Sequence, residues 1–295
     1  MKIKKTREDI VIDTVNTILL CLIIIVTLYP IVYVFSMSIS GANAVLSNKV
    51  RLWPIGFSLE SYKKVFEYPA FWWSYLNTVI YTAAGTFVGV ASTVLCGYAL
   101  SRRNFVLGKF VSIVAIITML FSGGLIPSFI WVNKLGLYDN RWVLILPCAA
   151  SAWYLMMTRV FMQTNIPDSL IDAAKIDGAN DLHVLFRIVI PLSTTIIAIL
   201  ALFYAVGQWN GFFSALLYIK SESKKPLQIV LRDILIRNSA QAMIGRDETM
   251  IAKRRLYMEQ LKYVSIMVSI LPIMMVYPFL QKYFVKGIMI GAIKE

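Results

Sequence analysis

The stretch "DAAKIDGANDLHVLFRIVIP", from Asp172 to Pro191, is a nearly charge-balanced segment between two long apolar runs. Just before it, Pro167 suits the first position of a helix, and Asp168 suits the positive end of the helix dipole. Gly178 is placed to end that helix, and Asn180 can cap a second short one. The pattern predicts a helix–turn–helix elbow at a membrane surface, with a docking face for a cytosolic partner.

Around this elbow the chain is strongly apolar, since 58% of its 295 residues are hydrophobic and only 15% are charged. A soluble domain is about 45–50% apolar and about 25% charged. A membrane-spanning helix needs about 20 mostly apolar residues, and backbone polar groups cannot stay unpaired in lipid. We therefore predict an all-α polytopic membrane protein with six spans, at residues 13–39, 75–101, 109–132, 141–163, 188–217 and 260–281.

The net charge of +13 is spread between the apolar runs and forms no single patch, which argues against a nucleic-acid partner. The basic N-terminus and the short loop "SRRNFVLGK" favour the cytoplasmic side by the positive-inside rule. The order expected is a cytoplasmic tail (1–12), a six-helix domain (13–281) and a second cytoplasmic tail (282–295), with external segments 40–74 and 218–259. The elbow then lies in a cytoplasmic loop, 164–190. Residues 220–259 oppose this orientation, because they hold nine Lys/Arg against five Asp/Glu.

The sequence contains no recognisable catalytic motif. It has no G-x-x-x-x-G-K-[ST], H-E-x-x-H or G-x-S-x-G pattern. Its three cysteines lie in apolar runs without metal-ligand spacing, and its one histidine, His183, lies outside the spans. We expect no catalytic residue, metal site or cofactor in this chain, so any work that it does must draw on energy supplied elsewhere.

Three motifs in the spans bear on packing and on a transport pathway. "GTFVG" (85–89) has glycines one turn apart, which allows close helix approach. "FSGGLIP" (121–127) indicates a helix end at the outer surface, with a broken helix near a pathway as the alternative. "VGQWNGFF" (206–213) places amides and an aromatic ring near the outer end of a span, where they suit either a sugar pathway or an interfacial aromatic belt. The pathway candidates are Gln208, Trp209, Asn210 and Tyr204.

The elbow resembles the "EAA" coupling loop of permease subunits of type I ATP-binding-cassette importers. That pattern is E-A-A, two residues, D-G-A, about nine variable positions, an isoleucine and a proline. The matching residues, which the resemblance makes the contacts to the ATPase, are Asp172, Ala173, Ala174, Asp177, Gly178, Ala179, Ile188 and Pro191. Asp172 replaces the usual glutamate, which keeps the charge but shortens the reach by one methylene.

The likeness extends through "FSGGLIP", "LGLYDN", "QWN" and the tail "YPFLQKYFVKGIMIGAIKE" to the carbohydrate-uptake branch, which includes the smaller permease of maltose-type importers. It implies a six-helix subunit of the bacterial cytoplasmic membrane that pairs with a second, homologous permease. Two cytosolic ATPase subunits would use ATP and Mg, an external solute-binding protein would deliver an oligosaccharide, and Gln281–Glu295 would reach the ATPases. Motion would pass from the elbow through Pro191 into the fifth span.

The substrate and the energy source each leave alternatives open. Segment 40–74 is basic, and such a field favours acidic, uronate-containing oligosaccharides, or else contact with the binding protein or with anionic membrane lipid. The segment's charges are Lys49, Arg51, Lys63 and Lys64 against Glu60 and Glu67. An ion-driven secondary transporter should carry ionisable residues inside its spans, which here are nearly free of Asp and Glu. An intramembrane enzyme is disfavoured by the missing motifs.

Overall fold

The computed structural model describes residues 6–243 and 259–278, and for 237–243 only the course of the helix. All regular structure in those residues is helical. In chain order the helices are α1 (Arg7–Ser38), α2 (Ala42–Leu46), α3 (Glu60–Phe66), α4 (Phe71–Ser101), α5 (Gly108–Leu120), α6 (Leu125–Lys134), α7 (Trp142–Ile145), α8 (Ala152–Asn165), α9 (Asp168–Ile176), α10 (Asp181–Val184), α11 (Ile190–Leu192), α12 (Thr194–Trp209), α13 (Phe213–Tyr218), α14 (Leu227–Met243) and α15 (Glu259–Pro278). A 3-10 turn, Leu146–Ala150, joins α7 to α8, and a π-helical turn, Leu185–Val189, joins α10 to α11.

Four helices in the described residues are long and apolar enough to cross a membrane: α1, α4, the run Trp142–Asn165 and α15. The pair Asp181–Leu192 and Thr194–Trp209, bent by 78° at Ser193, makes a fifth span if it is counted as one. Helix α5, with 13 residues, is shorter than the roughly 20 needed to cross alone. The all-α membrane class is confirmed, whereas the count of six spans stays a prediction.

Two predicted spans are wrong as continuous helices. The span 109–132 is interrupted after Leu120, because Gly124 adopts a positive φ of 83° before α6 begins. The helix end expected at "FSGGLIP" is therefore present, and a second helix follows it directly. The span 188–217 ends at Trp209, where Asn210 and Gly211, both poor helix formers, separate α12 from α13.

Residues 218–259, predicted as an external segment, contain the 17-residue helix α14. Two short helices, α2 and α3, occur in the predicted external segment 40–74. Helix α1 begins at Arg7, ahead of the predicted start of the span, with a capping box between Thr6 and Asp9. The predicted C-terminal tail, 282–295, lies outside the described residues.

The chain divides into two compact units. The first unit holds the described parts of 1–69 and 231–271, and the buried side-chain amide of Gln260 makes hydrogen bonds within it. The Gln260 side chain accepts from Ser61 Oγ at 2.7 Å and donates to the backbone oxygen of Ser40 at 2.5 Å. Because a buried amide without partners is costly, these bonds tie α15 to α3 and to the turn after α1.

The second unit holds the described parts of 70–230 and 272–278. Helix α4 lies at its centre and packs on α12 and α8. The turn before α7 is held by Asp139, whose carboxylate accepts from the backbone N–H groups of Lys220 and Ser221 at 3.0 and 2.9 Å. The pKa of Asp139 is lowered, chiefly by the Ser221 hydroxyl and then by the Ser221 backbone N–H. This carboxylate fixes the connection between α13 and α14 against the turn that precedes α7.

Candidate functional site

The elbow consists of two short helices joined by a glycine turn. Helix α9 begins at Asp168, one residue later than predicted, with Pro167 as its N-cap, and it ends at Ile176 with Asp177 as its C-cap. Gly178 has a φ of +84°, which L side chains rarely adopt. Asn180 caps α10 by accepting from the His183 backbone N–H at 2.7 Å, as its position in the sequence predicted.

An ion pair holds the two helices of the elbow together. Lys175 Nζ lies 2.9 Å from Asp181 Oδ1, and this hydrogen bond is the main reason that the pKa of Lys175 is raised. Because this shift further favours the protonated amine, Lys175 carries its positive charge at neutral pH. The two helices of the elbow are thus linked across Gly178 by an ion pair whose side chains are 50% and 74% exposed.

One face of α9 packs on the protein and the opposite face is free. Ile171 is buried, and Ala174 packs against the same core cluster. Asp172, Ala173 and Ile176 are exposed. The side chain of Ile176 is 86% exposed, although it lies outside the apolar spans. Sequence reasoning missed Ile176, yet it could have been found by its position one helical turn after Asp172.

A cavity of about 390 Å³ lies in the bend of the elbow. Five of the eight residues of the EAA-like pattern line it, together with Asn180 and His183: Ala174, Asp177, Gly178, Ala179 and Ile188. Pro191 is exposed in α11, close to the 78° bend into α12. The structure thus brings most of the pattern to one concave surface and leaves Asp172 and Ala173 on the exposed face of α9.

The elbow is also attached to the end of α4, a contact that the sequence did not predict. Arg102 Nη1 lies 3.1 Å from Asp168 Oδ1, and Arg103 Nε lies 3.3 Å from Asp168 Oδ2. The Arg102 side chain is 16% exposed and lies over the Tyr98 ring, whereas Arg103 is 90% exposed. Of the two arginines that contact Asp168, Arg102 is therefore the one that is packed into the protein.

Two of the four pathway candidates lie together between α4 and α12. Gln208 Nε2 donates to the backbone oxygen of Leu144 at 2.6 Å, and Tyr204 Oη lies 2.7 Å from Thr93 Oγ1. They line a cavity of about 260 Å³ whose wall also includes Ser151. This cavity is small and partly polar, and it lies inside the second unit.

The glycines of "GTFVG" make room for these two side chains. A Cβ added at Gly85 would lie 2.1 Å from Gln208 Nε2, and one added at Gly89 would lie 2.7 Å from Tyr204 Cε1. A neighbouring side chain would have to shift to admit a Cβ at either position, so the two glycines leave the space that Gln208 and Tyr204 fill. The close approach predicted from the motif is present, with side chains of α12 as the partners.

The other two pathway candidates lie elsewhere. Trp209 packs edge-on against Tyr75 with ring centroids 5.8 Å apart, and it lines a separate apolar groove of about 570 Å³ with Thr82 and Thr86. Asn210 is the exposed C-cap of α12 rather than an inward-facing helical amide. The described residues therefore do not unite the four candidates in one site.

The chain is similar to a known protein family and to a relative of similar length. Residues 4–290 match the family described as "Binding-protein-dependent transport system inner membrane component". The polygalacturonan/rhamnogalacturonan transport system permease protein YtcP of Bacillus subtilis (strain 168) is 40% identical over 92% of this chain and 93% of that protein.

Two solved structures are also similar. A crystal structure of a bacterial ABC transporter involved in the import of the acidic polysaccharide alginate contains a chain 34% identical, with a TM-score of 0.83 over 96% of this chain and 100% of that one. A chain of a bacterial alginate ABC transporter in complex with alginate pentasaccharide-bound periplasmic protein is 16% identical and has a TM-score of 0.51, over 92% of this chain and 96% of that one. The second likeness concerns the fold alone.

Proposed function

We propose, from the premise that this chain belongs to the family of binding-protein-dependent transport system inner membrane components, that it is a permease subunit of an ATP-driven oligosaccharide importer. The observation that carries this proposal is the elbow itself. It is a pair of helices linked by an ion pair, with an exposed apolar residue, Ile176, outside the spans, and it is attached to a long membrane helix at Asp168. Exposed apolar surface of this kind suits a docking partner.

The energy for transport would come from partner subunits. The chain has no phosphate-binding motif, so we assign ATP and Mg to two cytosolic ATPase subunits that dock on the elbow. A second permease would complete the membrane part, and an external binding protein would deliver the sugar. The ion-driven alternative lacks support, because the long spans α4 and Trp142–Asn165 contain no Asp or Glu.

Closure of the ATPases would move the elbow as one body. The concave surface around Gly178 and the exposed face of Asp172, Ala173 and Ile176 would both contact the ATPase. The movement would enter α12 through Pro191 and would enter α4 through the pair of Arg102 with Asp168. A two-state element that is tied to both helices is what such a switch requires physically.

The substrate that we propose is an acidic oligosaccharide. YtcP is named for polygalacturonan and rhamnogalacturonan, and the alginate importer carries an acidic polysaccharide. In segment 40–74, Lys63 and Lys64 pair with Glu67 and Glu60, so the excess positive charge lies at Lys49 and Arg51. Both are exposed and could attract an anionic sugar. Tyr204 and Gln208 are the residues of this chain that we propose for the pathway.

Replacing Gly178 with aspartate tests the coupling role. At φ +84° a side chain strains the turn, and a carboxylate would enter the concave docking surface. We expect uptake into proteoliposomes containing the whole complex to be lost, while the permease is still inserted and still binds its partner permease. ATPase subunits should co-purify with it in reduced amount.

Gly136→Asp is the matched control. Gly136 also has a positive φ, +68°, and also has open space around it, but it lies outside the elbow. Its variant should suffer similar local strain and keep transport. Normal uptake by Gly178→Asp, or equal loss in both variants, would sink the assignment of the coupling site.

A further inference from the structure

An uncharged, apolar loop lies beside the C-terminal end of α1. This loop, "LWPIGFSL" (52–59), contains no charged residue, and we call it the aromatic loop. Its Trp53 side chain is 81% exposed and its Phe57 side chain is 69% exposed. Leu52 and Ile55 are also exposed. Exposed apolar surface of this extent marks a contact with a partner or with a membrane.

Hydrogen bonds to the end of α1 fix the position of the aromatic loop. Ser36 Oγ donates to the backbone oxygen of Leu52 at 2.6 Å, and the backbone N–H of Ile55 donates to Ser40 Oγ at 3.1 Å. The backbone N–H of Gly41 donates to the backbone oxygen of Ile55 at 3.0 Å. Both serines are buried, so these bonds lie inside the packed end of the helix. The loop is therefore held level with the last turn of α1.

The length of α1 shows where this level falls in a membrane. The helix is long and apolar enough to span, and no charged residue lies between Asp13 and its end at Ser38. At about 1.5 Å per residue, these roughly 25 residues measure about 37 Å. The hydrocarbon core of a bilayer is about 30 Å thick, so the last turn of α1 reaches the boundary between acyl chains and headgroups.

We propose that the aromatic loop inserts Trp53 and Phe57 into the bilayer at this boundary and so anchors the end of α1. An indole ring suits the boundary, because its body is apolar while its N–H can donate to a headgroup or to water. A soluble binding protein suits the loop less well, since the apolar side chains would return to water whenever that protein leaves. The inference rests on the membrane insertion of α1 and is independent of the sugar that is carried.

Quenching of Trp53 fluorescence in the reconstituted transporter complex tests the insertion. Complexes with the wild-type permease or with Trp53→Phe are placed in phosphatidylcholine bilayers, and the emission that the substitution removes is assigned to Trp53. We expect lipid brominated near the carbonyl end of its acyl chains to quench this emission, and aqueous iodide to leave it. Quenching by iodide without quenching by the brominated lipid overturns the proposal.

Two other outcomes would assign the aromatic loop to a protein. If the brominated lipid has no effect and added binding protein protects Trp53 from iodide, the loop is a docking surface for that protein. If neither quencher reaches Trp53, another subunit of the complex covers it. Either result overturns the insertion into lipid.

A second set of variants tests whether the hydrogen bonds to α1 set the depth of the ring. The double variant Ser36→Ala, Ser40→Ala removes two of the bonds that hold the loop, so quenching of Trp53 by the brominated lipid should decrease and quenching by iodide should increase. Ser38→Ala is the matched control, because this hydroxyl is equally buried but contacts Tyr62 and the backbone oxygen of Phe35 instead. It should show the wild-type pattern. Wild-type quenching in the double variant contradicts the proposed geometry.

Discussion

At the residue scale, the glycines of α4 explain why Tyr204 and Gln208 occupy the positions that they do. Each side chain lies against one of two glycines that are one helical turn apart, and each is hydrogen-bonded to a neighbouring helix or turn. Polar groups within a membrane domain are costly without partners, so both features hold the side chains in a single orientation. The amide and hydroxyl at the cavity are thus fixed in advance of any ligand.

Gly89→Ala should therefore disturb the cavity through Tyr204. The added methyl would lie 2.7 Å from the Tyr204 ring, and overpacking of this kind costs about 1–3 kcal/mol. We expect a lower melting temperature of the complex and reduced uptake. Gly207→Ala in α12, where no atom lies within 4 Å, should be neutral or stabilising by up to about 1 kcal/mol.

A double variant separates packing from a general helix effect. Tyr204→Leu removes the ring that the methyl would meet, so Gly89→Ala should cost less in that background. If the two substitutions are simply additive, the contact between Gly89 and Tyr204 does not determine the stability of this interface.

Residue identity predicted only part of this arrangement. The positions of Gly178 and Asn180 in the elbow followed from local backbone chemistry, because a turn and a cap depend on neighbours in sequence. Asn210 is an amide like Gln208, and Trp209 is aromatic like Tyr204, yet both lie on other surfaces. The direction of a side chain near a helix end depends on where that helix stops, which residue type does not reveal.

At the element scale, the elbow is linked to α4 through Asp168, and under the proposed coupling role this link would give motion a second route into the membrane. Transmission through Pro191 could be predicted from the sequence, because the elbow leads directly into α12 along the chain. The pair of Arg102 with Asp168, in contrast, joins elements far apart in sequence. No local pattern predicts such a pair. Likewise, "SGG" predicted a helix end after Leu120. It did not predict that one expected span would be replaced by two shorter helices.

Arg102→Gln should uncouple ATP hydrolysis from transport. Coupling free energies of about 1–3 kcal/mol correspond to roughly 5–150-fold effects. We therefore expect the amount of sugar moved per ATP hydrolysed to decrease by about 5- to 150-fold. Arg103→Gln is the matched control, because Arg103 contacts the same carboxylate but is 90% exposed, and an exposed pair contributes about 0–1 kcal/mol. Similar sugar-to-ATP ratios in the two variants would argue that motion passes only through Pro191.

At the scale of the whole molecule, the charge distribution is the feature that bears on which sugar is carried. Composition and patterning predicted the membrane class correctly, because hydropathy is a property summed over long segments. Substrate identity depends instead on a few groups that face the pathway and on subunits outside this chain. The exposed cations Lys49 and Arg51 belong to both kinds of feature, because the sequence shows their charge and their exposure would let them act on a substrate.

The double variant Lys49→Gln, Arg51→Gln should distinguish sugar steering from contact with the binding protein. If these cations attract an acidic substrate, uptake of oligogalacturonate by the reconstituted complex falls in the double variant. The dependence of uptake on ionic strength also weakens, because salt at physiological concentration screens interactions between charges more than about 8–10 Å apart. ATPase stimulation by binding protein without sugar should be unchanged. Arg103→Gln, which removes positive charge near the elbow instead, should alter neither quantity. If the double variant raises the concentration of sugar-free binding protein needed for half-maximal ATPase activity, the cations serve the binding protein, and the preference for acidic sugars must lie in the pathway or in the partner subunits.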